Sequence, residues 1–259
     1  ALATDFGQVT NETTGNIKMS GNNSIGLYGA ANSVVINKGT IEMGKAGVGI
    51  WGANNLSGKY SNKNINIINS GTIKGINGKE GVFGIYAVND TATYPGVISN
   101  IVHGAIGNID LSQNKDSIGI YMTNGTLTSS GNISVNDKSV GLDAKISNVT
   151  VNGGTHTIGK ESVGFKLTNF AATDKFLGNS GNISITDEKS VAYLLSGSNF
   201  TSNANFKDDL TLASTKAYTY MSLINNSTLN YTNTKTIAND DSIFVNAKNS
   251  TINLLSGTT

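Results

Sequence analysis

The sequence predicts an all-β protein, a right-handed parallel β-helix (solenoid) of about nine coils. The first observation behind this prediction is a five-residue phrase, clearest at residues 117–121, in which apolar residues flank a central glycine. Copies with drift are centred on positions 26, 49, 84, 119, 141, 164, 192, 219 and 244, at intervals of 22 to 35 residues. Self-similarity with a period of roughly 20 to 50 residues is typical of solenoids, propellers and repeat arrays.

A second phrase lies between the copies of the first, with the form small-Gly-(Thr or Asn)-Ile. It occurs at residues 14–17, 38–41, 70–73, 106–109, 130–133 and 180–183. The runs around it alternate between apolar and polar residues and are too short for helices, so they indicate short strands separated by turns. A repeat of about 22 residues suits one coil of a parallel β-helix, whereas a propeller blade needs about forty or more.

Alternation along the first phrase predicts which side chains form the core. The residues directly before and after the central position are apolar in every copy, as at Ile25 and Leu27. Because side chains of a strand alternate between its two faces, we expect both of these columns to point inward. The glycine and the residue two positions beyond it are then expected to face outward.

The chain is expected to form a single domain over residues 1–259, because each coil of a solenoid rests only on its neighbours. The two coils between residues 50 and 105 are longer, and we assign the excess to loops at 54–64, 76–80 and 91–103. Such insertions form either a binding face or tolerated surface drift, and both interpretations stay open. Residues 198–256 contain no glycine, and the central glycine becomes Ala192, Thr219 and Phe244, so we expect wider, less regular coils there.

Composition argues against several classes of partner. The net charge is +1 and the basic residues are all lysine, so there is no electrostatic footprint for nucleic acid or for an acidic membrane. There is no cysteine, which excludes disulfides and thiolate metal sites. Neither a signal peptide nor a long apolar span is present. We expect either a segment of a longer protein or a cap formed by residues 1–15.

Catalysis is the main alternative, because parallel β-helices include polysaccharide lyases and hydrolases. A hydrolase needs two carboxyl groups roughly 5 to 10 Å apart. Asp137 with Asp143, or Asp187 and Glu188 against Asp208 and Asp209, are the candidate pairs. The charged residues that directly precede the first phrase have mixed signs, which favours a ladder of surface charges. This column comprises Asp116, Lys138, Glu161, Lys189, Lys216 and Asp241. We therefore expect no enzyme and no catalytic residue.

The two histidines do not predict a metal site. His156 occupies the position of Ile133 in its own repeat, so we expect an isolated polar residue in the core. His103 is assigned to an inserted loop. Neither has a second histidine or a cysteine in a metal-binding pattern, so no metal and no cofactor is expected.

One outward column is aromatic over four consecutive coils. Tyr28, Trp51, Tyr86 and Tyr121 lie two positions beyond the central glycine and would form a ladder rising about 4.8 Å per coil. Tyr60 and Tyr94, within the long loops, would join them. Exposed rings beside bare backbone favour a ligand-binding surface for sugar rings or a partner's apolar side chains. The alternative is that the rings only stack on one another.

These two phrases resemble the passenger region of large autotransporter (type V secreted) adhesins with fusobacterial-type repeats. Residues 69–75 and 84–87 carry the resemblance most directly, and it covers roughly residues 14–195. It implies export through a C-terminal outer-membrane barrel that is absent from this sequence, display on the bacterial cell surface or secretion, and a role in virulence through adhesion. The implied partners are host surface proteins, glycans or other bacteria. A polysaccharide-degrading enzyme of tailspike or pectinase type and a pure spacer stalk stay open as alternatives.

Overall fold

The computed structural model describes residues 1–4, 6–30, 32–54, 64–89, 98–171, 176–178, 181–200, 212–214, 216–231 and 240–254. Over these ranges the regular secondary structure is entirely β-strand, in 28 strands. Most of the loop predicted at 54–64, and residues 91–97 of the loop predicted at 91–103, therefore lie outside the described residues.

One strand from each coil forms a ten-stranded parallel sheet, here called sheet A. Its strands are β1 (Leu2–Ala3), β4 (Ile25–Gly29), β7 (Val48–Asn54), β10 (Phe83–Asn89), β13 (Ile118–Thr123), β16 (Val140–Lys145), β19 (Val163–Thr168), β22 (Ser190–Ser196), β25 (Tyr218–Ile224) and β27 (Ile243–Ala247). Every copy of the first phrase lies in this sheet, so the repeat in the sequence corresponds to one strand per coil.

The remaining strands form three further parallel sheets. Sheet B contains β2 (Gln8–Asn11), β5 (Val34–Asn37), β8 (Ile65–Asn69), β11 (Ser99–His103), β14 (Gly125–Ser129), β17 (Asn148–Val151) and β20 (Phe176–Gly178). Sheet C contains β3 (Asn16–Met19), β6 (Thr40–Met43), β9 (Thr72–Gly75), β12 (Asn108–Leu111), β15 (Asn132–Val135), β18 (Thr155–Ile158), β21 (Asn182–Ile185) and β24 (Leu212–Ser214). Sheet D contains β23 (Asn199–Phe200), β26 (Thr228–Tyr231) and β28 (Thr251–Leu254).

The chain passes through sheets A, B and C in turn and returns one coil further on, which makes a parallel β-solenoid of about eight turns. Equivalent residues stack in register, for example Ile85 on Ile50 and Ile120 on Ile85. The predicted fold class is therefore confirmed. Residues 1–15, for which a cap was one expectation, contribute the edge strands β1 and β2 to sheets A and B.

The prediction of which columns in sheet A face inward was half wrong. The residue after the central position is buried as expected, as at Leu27 and Ile50. The residue before it is only half-buried, and the glycine itself is buried against the core. A Cβ on Gly119 would lie 2.6 Å from Cγ2 of Ile133 in sheet C and 2.5 Å from the carbonyl oxygen of Gly141. Two successive residues thus face inward, and simple alternation fails at this point.

Serine is frequent at the start of the first phrase because it links neighbouring coils. The Oγ of Ser139 accepts the backbone N–H of Ser117 at 3.0 Å, and the Oγ of Ser162 accepts that of Ser139 at 3.0 Å. The residue before this column has a left-handed backbone, with φ of 51° at Asp116 and 55° at Lys138. Serine oxygens thus satisfy corner amides that the strands leave unpaired.

The core changes from aliphatic to aromatic along the solenoid. The buried central column is glycine up to Gly164 and then becomes Ala192 and Tyr220, both 0% exposed. Register places Tyr220 in this column, one residue beyond the predicted Thr219, because Tyr218 pairs with Ser190. The prediction that side chains replace an outward-facing glycine at positions 192, 219 and 244 was wrong, because Ala192, Tyr220 and Phe244 take the inward position.

Candidate functional site

The four predicted aromatic residues do form a continuous ladder on the outer face of sheet A. Strand register stacks Tyr28 on Trp51, Trp51 on Tyr86 and Tyr86 on Tyr121, and all four side chains are half-buried. Ring centroids of successive residues are 6.0, 5.5 and 5.1 Å apart, and the last pair is parallel-stacked. The outward assignment is therefore confirmed. Tyr60 and Tyr94 lie outside the described residues.

Phe83 enlarges this aromatic ladder, although the sequence placed it in the core. Its ring lies edge-on to Tyr86 at 5.3 Å and to Tyr121 at 6.5 Å. It is half-buried because the residue before the central glycine turns outward. Five rings therefore share one face over four coils.

One polar atom in the aromatic ladder has no hydrogen-bond partner in the structure. The indole Nε1–H of Trp51 is buried and unpaired. A buried donor without an acceptor costs free energy, on the order of 1–3 kcal/mol.

Charged residues continue the same column beyond the rings. Asp143 follows Tyr121 and is only 6% exposed, and its carboxylate accepts a 2.8 Å charged hydrogen bond from Lys166 Nζ in the next coil. Burial, then the charge of Asp143 and then Tyr86, raise the pKa of the Tyr121 hydroxyl. The ladder thus ends on one ion pair that offers both a hydrogen-bond donor and an acceptor.

His103 belongs to a buried polar ladder, so its assignment to an inserted loop was wrong. It ends strand β11 in register with Asn69. The Nδ2 of Asn11 donates to Asn37 Oδ1 at 2.9 Å, and the Nδ2 of Asn37 donates to Asn69 Oδ1 at 2.8 Å. The Nδ2 of Asn69 lies 3.2 Å from Nδ1 of His103. If Nδ1 of His103 accepts from Asn69, then Nε2–H donates to the Asn132 carbonyl at 3.0 Å. Burial lowers the pKa of His103, so the ring is neutral here.

His156 points into the core, as predicted. It is 2% exposed, stacks between Ile133 and Ile183, and its ring centroid lies 4.9 Å from that of Phe165. Neither ring nitrogen has a hydrogen-bond partner. Burial, with a smaller contribution from His103, lowers the pKa of His156 to about 3.

Among the described residues, three of the candidate acids are held in ion pairs with lysines. Asp208 and Asp209 lie outside the described residues, Asp143 is paired with Lys166, and Glu188 is paired with Lys160 at 3.0 Å. That pairing raises the pKa of Lys160 and lowers the pKa of Glu188. In the same ranges, no three His, Cys, Asp or Glu side chains are grouped as metal ligands.

Charged side chains at the corner before sheet A form a feature that sequence reasoning missed. Two residues before the serine column, the charge alternates in sign over eight consecutive coils. This alternating column comprises Lys45, Glu80, Lys115, Asp137, Lys160, Glu188, Lys216 and Asp240. Lys115 and Asp137 are 3.6 Å apart. The next residue in each coil, the left-handed corner column, carries the opposite sign in Asp116, Lys138, Glu161 and Lys189.

Together the fold and this surface define a parallel β-solenoid with an aromatic outer ladder and two ordered columns of charge. Residues 1–100, which include Tyr28, Trp51 and Tyr86, match the model of a family described as the BigA third pectate lyase-like domain. No curated protein and no solved structure matches the chain. The match and the fold support a β-helical domain of a bacterial surface protein. Among the described residues, none forms an apolar helix of membrane-spanning length.

Proposed function

We propose that this chain is a segment of a surface-displayed adhesin, non-catalytic, and that its aromatic ladder binds a host receptor, a glycan or another bacterium. The observation that carries the proposal is the row of Tyr28, Trp51, Tyr86 and Tyr121 on one outer face, each with part of its surface exposed. Flat rings gain from covering by an apolar or sugar surface, and their polar edges can still form hydrogen bonds.

The geometry supports an extended ligand that runs along the solenoid axis. Four rungs at about 4.8 Å per coil span about 14 Å, and the Asp143–Lys166 pair follows directly. A saccharide chain could stack on the rings and exchange hydrogen bonds with this pair. Export as an autotransporter passenger and display at the outer membrane belong to the same proposal, on the basis of the repeat phrases.

Removal of two central rings tests the proposal. Trp51→Ala with Tyr86→Ala is expected to reduce binding of the purified segment to glycan arrays and to bacterial or host cells at least tenfold. Ser222→Ala, in the same outward column six coils beyond Trp51, is the matched control. Unchanged binding in the double variant, with wild-type binding present, would refute the ladder as the binding surface. Failure of the wild-type segment to bind would instead support a spacer stalk.

A second candidate is supported by the description of the matched family as pectate lyase-like. Polygalacturonate incubated with the protein, with and without Ca²⁺, would accumulate unsaturated uronates if the chain were a lyase. Under the adhesin proposal we expect no such product, and we expect binding to an array without loss of the glycan. Product that disappears in the Asp143→Asn variant would overturn the non-catalytic assignment.

A further inference from the structure

The left-handed corner column is interrupted at one coil near the C-terminal end. Tyr218 pairs with Ser190, and its backbone N–H donates to Ser242 Oγ at 3.2 Å. The residue before Tyr218 therefore occupies the corner position of Lys189 in the preceding coil and of Asp241 in the following coil. That residue is Ala217, whose methyl group stands where the neighbouring coils carry long charged side chains.

A cavity of about 400 Å³ lies at this interruption. Lys189, Asp241 and Glu188 supply its charged lining, and Ala217, Tyr218 and Ile243 supply apolar surface. Tyr218 is 5% exposed and forms a firm inner wall, whereas Ile243 is 48% exposed at the mouth. The cavity exists because a small residue replaces a large one between two long side chains.

The two ends of the cavity carry opposite charges that lack ion-pair partners. Lys189 and Asp241 are two coils apart, about 9.6 Å along the axis. Neither takes part in any of the ion pairs formed by the described residues, which are Lys18–Glu42, Lys38–Glu12, Lys115–Asp137, Lys160–Glu188 and Lys166–Asp143. Glu188 is paired with Lys160 at 3.0 Å, and the charge of Lys189 stabilises its carboxylate to a lesser extent. One positive and one negative end therefore remain for a ligand.

We propose that this cavity binds a small zwitterion and that the ligand takes the place of the missing rung. Its carboxylate would pair with the ammonium group of Lys189, and its ammonium group would pair with the carboxylate of Asp241. Charge-assisted hydrogen bonds of this kind are the stronger ones available at a protein surface. The methylene groups between the two charges would cover Ala217 and the ring of Tyr218.

The chemistry separates this ligand class from simple ions. A carboxylate alone would satisfy Lys189 and leave Asp241 unpaired, and an amine alone would do the reverse. The cavity is open to water, so each ion pair is partly screened and the affinity is modest, with a dissociation constant on the order of 1 mM. This site is remote from the aromatic ladder and does not depend on its proposed role.

The test uses γ-aminobutyrate as the probe, with butyrate and butylamine as matched controls that carry one charge each. Amide NMR spectra of isotope-labelled protein are recorded during titration with each compound. We expect saturable shifts for residues 188–191, 216–219 and 241–243 with γ-aminobutyrate, and at least tenfold weaker effects with either control. Equal effects of the three compounds, or no saturable shift, would overturn the proposal.

Variants give an independent check. Asp241→Asn and Ala217→Glu are expected to abolish the saturable shifts, the first by removing one charge and the second by filling the cavity with a carboxylate. Asparagine tolerates the left-handed backbone of this corner, where φ is 61°, so the first variant keeps its fold. Asp116→Asn, at a corner outside the cavity with a left-handed φ of 51°, is the control and should bind like the wild type. Retained binding in Ala217→Glu, shown to be folded by its spectrum, would refute the site.

Discussion

The buried His156 predicts a specific loss of stability in mild acid. Its pKa is about 3 in the folded chain because burial disfavours the charged ring, whereas the unfolded chain has the ordinary value of about 6.5. Between these values the unfolded state binds more protons than the folded state, so the free energy of unfolding falls as the pH is lowered. Between about pH 7.5 and about pH 5, protonation linked to this one residue lowers the free energy of unfolding by about 2 kcal/mol.

The matched variant is His156→Ile, because Ile133 and Ile183 occupy the same column in the neighbouring coils. Urea unfolding of both proteins at the two pH values measures the difference. We expect the wild type to lose about 2 kcal/mol more than the variant on acidification. The variant should also be about 1–2 kcal/mol more stable near neutral pH, because it removes two buried ring nitrogens without partners.

His103 provides the control for this reasoning. Burial lowers its pKa too, so the wild-type slope contains contributions from both rings. His103→Asn would continue the Asn11–Asn37–Asn69 ladder and should retain the part of the slope that belongs to His156. Equal acid sensitivity of wild type and His156→Ile would refute the assignment of a neutral, unpartnered imidazole to the core.

Three other predictions follow from the core and the corners, each measurable by chemical or thermal unfolding. Gly119→Ala should lower the free energy of unfolding by about 3 kcal/mol, because the added Cβ would lie 2.5 Å from a backbone oxygen. Gly153→Ala should be nearly neutral, because the nearest atom to its Cβ is 3.8 Å away. Similar losses of stability in the two variants would contradict the inward glycine column. Asp137→Lys should lower the melting temperature, because it places like charges in three successive coils. Added salt should reduce the difference in melting temperature between variant and wild type. A difference that does not depend on salt would contradict the role of the alternating column. Tyr193→Ala should lower the free energy of unfolding by about 3–5 kcal/mol, and Tyr86→Ala by clearly less, because only Tyr193 is fully buried. Equal losses would contradict the inward position of Tyr193 and the outward position of Tyr86.

The period of the sequence was sufficient to predict the solenoid, but not the direction of every side chain. The aromatic ladder and the inward column after the glycine follow from alternation and agree with the structure. Alternation failed at Gly26 and its equivalents, where the missing side chain lets the backbone approach Ile41 of sheet C, so that two successive residues face inward. A period-two pattern contains no signal for such a close approach.

Of two other errors, one had no such signal and the other did. His103 lies four residues before Gly107 of the second phrase, whereas Asn69 and Asn37 lie two residues before Gly71 and Gly39, so counting back from that phrase misses His103 by two residues. The alternating charges become visible only when the column is counted back from the serine rather than collected by charge. When Tyr218, rather than Ala217, is aligned with the serine position, Lys216 lies two residues before that position and belongs to the alternating column.

Along sheet A the aromatic side chains change from the outer face to the inner face. The rings on offer to a ligand and the rings that stabilise the core therefore lie in different coils. Up to Tyr121 the rings are outward and the residues that stack inside are Leu27, Ile50, Ile85 and Ile120. From Phe165 onward the rings are inward, where Phe165 and Tyr193 stack at 5.2 Å, and the outward column carries Lys166, Leu194 and Ser222. The first coils thus close their core without aromatic residues. Rings that stay partly exposed there gain only part of the burial free energy that the interior would give them, and a ligand that covers them would supply the rest.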